Sequence, residues 1–124
     1  MIIAVDFDGT VVMHEYPNIG KPVPGALETL RALNQREHQL ILWTMRSGSK
    51  LLEAAHYLNK NDVQLWGINK NPDQASWTNS PKAYAPLYID DAALGCPLIH
   101  NPNEHRPYVD WKMVRNYLIN QGIL

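Results

Sequence analysis

The sequence has little cysteine, little net charge and no long apolar run. Its 124 residues include one cysteine, Cys96, so no disulfide framework is possible and a reducing cytoplasm is the expected compartment. A formal net charge of -1 argues against binding to long nucleic acid or to an anionic membrane. No stretch approaches the length of a membrane span, and Met1-Ile2-Ile3 lacks the basic start of a signal peptide. We therefore expect one cytoplasmic domain over residues 1–124, with no membrane partner.

An apolar run near the start of the chain leads two carboxylates into a turn. Ile2-Ile3-Ala4-Val5 has the composition of a strand buried on both faces, and Gly9 ends the extended segment. Asp6 and Asp8 share one face of that segment, so both acids reach the space beyond the strand. Like charges this close repel unless a cation separates them, and Mg²⁺ is typically bound by carboxylates plus a phosphate group. A strand end capped by turn-forming Asp and Gly is the alternative interpretation.

Strand-like and helix-like segments alternate along the chain. The pattern predicts strands at 2–5, 39–43, 63–68 and 87–89, a short edge strand at 96–99, and helices at 24–37, after residue 49, and at about 110–121. Residues 10–23 are irregular and are interpreted as a flap. The alternation predicts an α/β fold with a doubly wound, mostly parallel, three-layer sheet of about five strands. We expect the strands that end at Asp6 and Asp90 to lie side by side.

Polar residues follow two further predicted strands. Leu87-Tyr88-Ile89 ends in Asp90 and Asp91, and a shared cation would offset the cost of placing adjacent carboxylates there. Thr44 follows the 39–43 strand, where its hydroxyl and the backbone amides from Met45 onward can receive a phosphoryl oxygen, although a capping role is the common one. Arg46 can bind phosphate with its forked donors, or form a surface salt bridge.

The loops hold the remaining candidates. Trp77 is interpreted as packing under the loop of residues 69–81, with stacking on a ligand as the alternative. His100 and His105 show no zinc-binding pattern and are interpreted as loop residues. Asp110 is expected to cap a last helix that buries Tyr117 with its neighbours.

The segment Asp6-Phe7-Asp8-Gly9-Thr10 resembles the first motif of the haloacid dehalogenase superfamily. Three later features resemble the remaining motifs in the same order: Ile41-Leu42-Trp43-Thr44, Lys82, and Leu87-Tyr88-Ile89-Asp90-Asp91. The resemblance extends from Ile2 to about Leu98, which is most of the chain. It implies a Rossmann-like sheet of the haloacid dehalogenase type.

The resemblance also implies a magnesium-dependent phosphatase acting on a phosphate monoester. Asp6 would be the nucleophile that forms an aspartyl-phosphate, and Asp8 the acid/base. Mg²⁺ would be held by Asp6, by the backbone carbonyl of Asp8 and by Asp90, while Asp91 would bind it through water or orient Lys82. Phosphate would be bound by a set of residues around the first and second motifs and by a lysine: Gly9, Thr44, Met45, Arg46 and Lys82, with Lys70 as the alternative lysine.

The spacing of the motifs leaves no room for a cap domain. Fourteen residues separate Gly9 from Pro24, and the span from Gly67 to Pro81 has 15, against the ~40 that a self-supporting domain needs. The expected substrate is a phosphorylated small molecule or the terminal phosphate of a macromolecule, and a homo-oligomer stays open. Two other function classes also stay open, namely a receiver-like phosphoacceptor domain and a phosphate-binding module without catalysis.

Overall fold

The fold is built on a four-stranded parallel sheet, seen here in a computed structural model that describes residues 1–124. The strands are β1 (Ile2–Val5), β2 (Gln39–Leu42), β3 (Gly67–Ile68) and β4 (Leu87–Ile89), in the order β3-β2-β1-β4. The helices are α1 (Ala26–Gln35), α2 (Gly48–Lys60) and α3 (Trp111–Asn120). The predicted α/β, Rossmann-like class is confirmed.

The strands that carry the two acid pairs are neighbours, as expected. Val5 of β1 lies opposite Ile89 of β4, and the amide of Asp6 donates to the Ile89 carbonyl at 2.9 Å. The expected fifth strand is not part of this sheet. This strand, β5 (Leu98–Ile99), pairs instead with β6 (Tyr108–Val109) in a separate antiparallel ribbon. The sheet therefore has four strands, because Leu98–Ile99 pair with Tyr108–Val109 rather than with a strand of the sheet.

The two faces of the sheet are covered differently. The face that carries Ile3 and Val5 packs against all three helices, and its core is fully buried. The opposite face, with Ala4 and Ile41, packs against Ala83 and Ala85. These alanines belong to residues 69–86, which join β3 to β4 with only a short 3₁₀ turn (Gln74–Ser76). The second outer layer of the expected three-layer sheet is thus an irregular segment rather than helices.

The predicted flap is anchored at both ends. Val11, Val12 and Val23 are buried, and the Val23 amide donates to the Val11 carbonyl at 2.9 Å. Its middle part, residues 15–18, is exposed, as are residues 21 and 22. This arrangement fixes where the exposed part of the segment lies relative to the end of β1.

Two aromatic residues are more exposed than predicted. Asp110 caps α3 as expected, accepting from the Met113 amide at 3.2 Å, but Tyr117 on that helix is 53% exposed. Trp77 is 63% exposed, so its predicted packing under the loop is wrong, and its ring centre lies 5.6 Å from that of Tyr84, with the two rings nearly perpendicular. No helix in the chain has both the length and the apolar composition to cross a membrane.

Candidate active site

Three carboxylates meet where β1 and β4 end. Asp6 follows β1, and Asp90 and Asp91 follow β4, so the parallel pairing of these strands brings the acids to one edge of the sheet. One oxygen from each lies within 4.8 Å of the others. Asp6, Asp90 and Asp91 thus lie together, as the sequence predicted. Asp8 is not a member of this group.

The surroundings of Asp6 disfavour its charged form. Burial, the adjacent Asp91 carboxyl and the negative charge of Asp90 raise the pKa of Asp6 to about 8, while a 2.9 Å hydrogen bond from the Thr10 hydroxyl acts in the opposite direction. Burial, followed by the charge of Asp91, also raises the pKa of Asp90. Clustered acids with raised pKa values are a feature of functional sites.

The donor set fits a hard divalent cation. Carboxylate oxygens are the ligands that Mg²⁺ prefers, and no lysine or arginine forms an ion pair with Asp6, Asp90 or Asp91. The nearest basic contact is His14, whose Nε2 lies 3.0 Å from Oδ2 of Asp91. A bound cation would therefore supply the positive charge that side chains do not.

Asp8 lies in a different environment from Asp6, because it is paired with Arg46. Arg46 is only 2% exposed, and its Nε and Nη2 donate to the two Asp8 oxygens at 2.8 Å each. This hydrogen-bonded pair raises the pKa of the Arg46 guanidinium. The pair of Arg46 with Asp8 is therefore buried on the arginine side, and is not the surface salt bridge that the sequence left open. The donors of Arg46 are directed at Asp8 and at backbone carbonyls.

A cavity of about 320 Å³ opens beside the acids. It is lined by residues from the ends of β1, β2, β3 and β4: Asp6, Trp43, Thr44, Met45, Asn69 and Asp90. The Thr44 amide donates to the Asn69 side chain at 2.8 Å, and the Thr44 hydroxyl accepts from the Arg46 amide at 3.1 Å. Met45 is 98% exposed at its rim. Of the predicted phosphate-binding residues, Thr44 and Met45 thus border the same space as Asp6.

Gly9 has a conformation that side chains rarely adopt. Its φ is +82°, and a Cβ atom there would overlap the imidazole of His14. The glycine therefore lets His14 approach Asp91. This is a packing reason for Gly9, separate from the phosphate contact predicted for it.

Neither candidate lysine contacts the acids. Lys82 is exposed, and its Nζ lies 5.5 Å from the centre of the Tyr88 ring. Lys70 is also exposed, and neither lysine forms an ion pair. The neutralising contact expected of Lys82, or of Lys70 in its place, is absent from this structure.

Three residues of the site were not among the predicted catalytic, metal-binding or phosphate-binding residues. Thr10 bonds to Asp6, His14 contacts Asp91, and Asn69 holds the Thr44 amide. Asn69 follows β3 in a left-handed conformation, with φ of 52°, which asparagine tolerates better than most residues. An asparagine at a strand end was the only signal in the sequence for that position.

The fold and these residues describe a small Rossmann-like α/β protein with an acidic group beside a cavity at the carboxyl edge of its sheet. A solved structure of a conserved protein from Bacteroides thetaiotaomicron is similar to this chain, with 37% sequence identity and a TM-score of 0.76. The similarity covers 98% of this chain and 91% of that one. The chain therefore belongs to the same family as the Bacteroides protein. No protein-family model matches the chain, and no curated protein does.

Proposed function

We propose that this protein is a magnesium-dependent phosphohydrolase of the haloacid dehalogenase type, acting on a phosphate monoester. The observation that carries the proposal is the meeting of Asp6, Asp90 and Asp91 at adjacent strand ends, beside a cavity that Thr44 also lines. Ligands of open α/β sheets bind outside the carboxyl ends of the strands, at the point where the strand order reverses. In the order β3-β2-β1-β4, that point lies between β1 and β4.

In the proposed reaction Asp6 is the nucleophile. One of its carboxylate oxygens bonds to phosphorus while the bond from phosphorus to the leaving oxygen breaks, which gives an aspartyl-phosphate. Water then attacks phosphorus, and the bond to the Asp6 oxygen breaks to release inorganic phosphate. Asp6, Asp90 and Asp91 would hold Mg²⁺, which would supply the charge compensation that an anionic nucleophile needs in order to approach an anionic phosphate.

Asp8 is assigned the proton transfers. It delivers a proton to the leaving oxygen and takes one from the attacking water. Each Asp8 oxygen accepts one hydrogen bond from Arg46, which leaves a lone pair on each oxygen for this work. Thr44 and the backbone amide of Met45 are assigned to the phosphoryl oxygens. Lys82 is given no role, because it forms no ion pair with the acids.

A receiver-like phosphoacceptor is less compatible with the arrangement. Such a domain carries its phosphorylated Asp at the end of the third strand, whereas β3 ends at Ile68 and is followed by Asn69. An asparagine cannot form an aspartyl-phosphate. The acids of this chain lie instead after β1 and β4.

The proposal is tested with a panel of phosphate monoesters, including small metabolites and end-phosphorylated oligonucleotides, with Mg²⁺ or with EDTA. Wild-type protein should release phosphate only with Mg²⁺, and Asp6→Asn should lower kcat by several orders of magnitude with an unchanged circular dichroism spectrum. Asp73→Asn is the matched control, since Asp73 is exposed and makes no side-chain ion pair. Turnover in Asp6→Asn close to that of the control, with deamidation excluded, would rule out the mechanism.

A further inference from the structure

Arg46 is the most extensively bonded side chain around the site. It follows β2 in the turn that leads into α2, and it is 2% exposed. Besides the two bonds to Asp8, its Nη2 donates to the Asn18 carbonyl at 2.8 Å and its Nη1 to the Pro17 carbonyl at 3.3 Å. Four of the five N–H groups of a guanidinium are therefore in use.

The guanidinium also lies over two aromatic rings. The ring centres of Phe7 and Tyr16 each lie 5.1 Å from Cζ of Arg46. Phe7 belongs to the segment that carries Asp6 and Asp8, whereas Tyr16 belongs to the exposed middle of residues 10–23. Cation–π contacts of this kind are strongest where the charge is removed from water, as it is here.

These contacts join three separate parts of the chain at one charged group. The turn after β1 contributes Asp8, residues 15–18 contribute two carbonyls, and the turn after β2 contributes Arg46 itself. A bidentate pair fixes the rotation of the carboxylate as well as its position. Lysine provides a point charge rather than a planar fork, so it cannot reproduce this geometry.

We infer that Arg46 is a positioning residue for the proposed reaction. Its guanidinium holds the Asp8 carboxylate in the orientation needed for proton transfer and holds residues 15–18 beside the site, while it does not itself contact phosphate. The inference rests on the proposed function, because it assigns Arg46 a task only if Asp8 has one. It differs from the phosphate-binding role suggested by the sequence, and the two roles predict different kinetics.

Arg46→Lys is the first test, with Arg36→Lys as the matched control because Arg36 is exposed and has no ion pair. We expect Arg46→Lys to lower kcat by about 100-fold, since a positioned acid/base group contributes roughly 10²–10⁴. The KM for the ester and the inhibition constant for inorganic phosphate should change by less than about threefold, because phosphate contacts are retained. Added methylguanidinium should partly restore kcat in Arg46→Ala and have no effect on Arg36→Ala.

A second comparison covers the case in which loss of Arg46 alone leaves Asp8 unpaired and prevents folding. Asp8→Asn and the double variant Asp8→Asn/Arg46→Met are compared, since removing both partners leaves no buried charge alone. If Arg46 acts through Asp8, the double variant should have a kcat within about threefold of Asp8→Asn, with an unchanged inhibition constant for phosphate.

Two results would overturn the inference. One is a kcat in Arg46→Lys equal to that of the control. The other is an increase of about tenfold or more in both KM and the phosphate inhibition constant, in the single or the double variant, which would identify Arg46 as a phosphate ligand. Wild-type turnover is measured in the same assay. Its absence would refute the proposed function, and the inference with it, whereas wild-type turnover with an unaffected variant would refute the inference alone.

Discussion

Without a bound cation, the free energy of unfolding of this protein should fall as the pH rises. The pKa of Asp6 is raised to about 8 by burial and by the neighbouring acids, against 3.8 for an ordinary aspartate. Between these two values the folded chain holds a proton that the unfolded chain releases. The free energy of unfolding therefore decreases with pH across this interval, and the contribution that is full below pH 3.8 is lost by about pH 8.

The magnitude follows from the number of protons involved. One proton of difference between the folded and unfolded chains is worth about 1.4 kcal/mol per pH unit, so a change from about pH 5.5 to about pH 8 should cost about 3 kcal/mol. That is a large share of the 5–15 kcal/mol typical of a domain. Saturation with Mg²⁺ replaces the proton as the source of positive charge, and at about 100 times its Kd the ion should contribute about 2.7 kcal/mol.

The measurement is urea unfolding followed by circular dichroism at several pH values, in EDTA and in Mg²⁺. Asp6→Asn removes the titrating group, so its metal-free stability should vary less with pH than that of the wild type and exceed it near pH 8. This variant also separates Asp6 from the histidines, which titrate in the same range. A metal-free wild type whose unfolding free energy stays level or increases from about pH 5.5 to pH 8 would refute the reasoning, as would an unchanged slope in Asp6→Asn.

Three other substitutions test separate parts of the structure. Asp8→Asn should slow the breakdown of the phosphoenzyme, so rapid-quench labelling with a good leaving group should show phosphate on Asp6, and no labelled protein at any time would contradict the covalent step. Gly9→Ala should destabilise the protein by more than ~1 kcal/mol in a thermal melt, because φ is +82° and the new methyl group meets His14, and an unchanged Tm would contradict this. Trp111→Phe leaves a buried backbone carbonyl without its 2.7 Å donor and should cost about 1–3 kcal/mol in urea unfolding, with wild-type stability as the contrary result.

The sequence was sufficient to predict the class of fold and the meeting of the acids. Apolar runs of three or four residues that alternate with helical periodicity specify parallel strands, and parallel strands end at the same edge. Asp6 and Asp90 each follow such a run directly, so their proximity follows once the strands are neighbours. Local pattern and tertiary arrangement agree here, which is why the prediction was reliable.

The environment of Arg46 could not be predicted in the same way. Its partner Asp8 lies 38 positions earlier, and two of its other acceptors are backbone carbonyls in an irregular segment. No periodicity describes such contacts, and an arginine in a loop is ordinarily solvated. Trp77 shows the converse error, because its size favoured burial although the structure leaves it 63% exposed beside Tyr84.

The distribution of basic side chains divides the acids of the site into two groups. Asp8 has a complete partner in Arg46, and Asp91 has His14 at 3.0 Å. Asp6 and Asp90 have no such partner, and they are the two carboxyls whose pKa values are raised and which line the cavity. The negative charge of these two carboxyls can be compensated from solution, by a proton at low pH or by a divalent ion at high pH. The charge of Asp8 is compensated within the chain by Arg46, so the two aspartates of one short motif lie in different electrostatic environments.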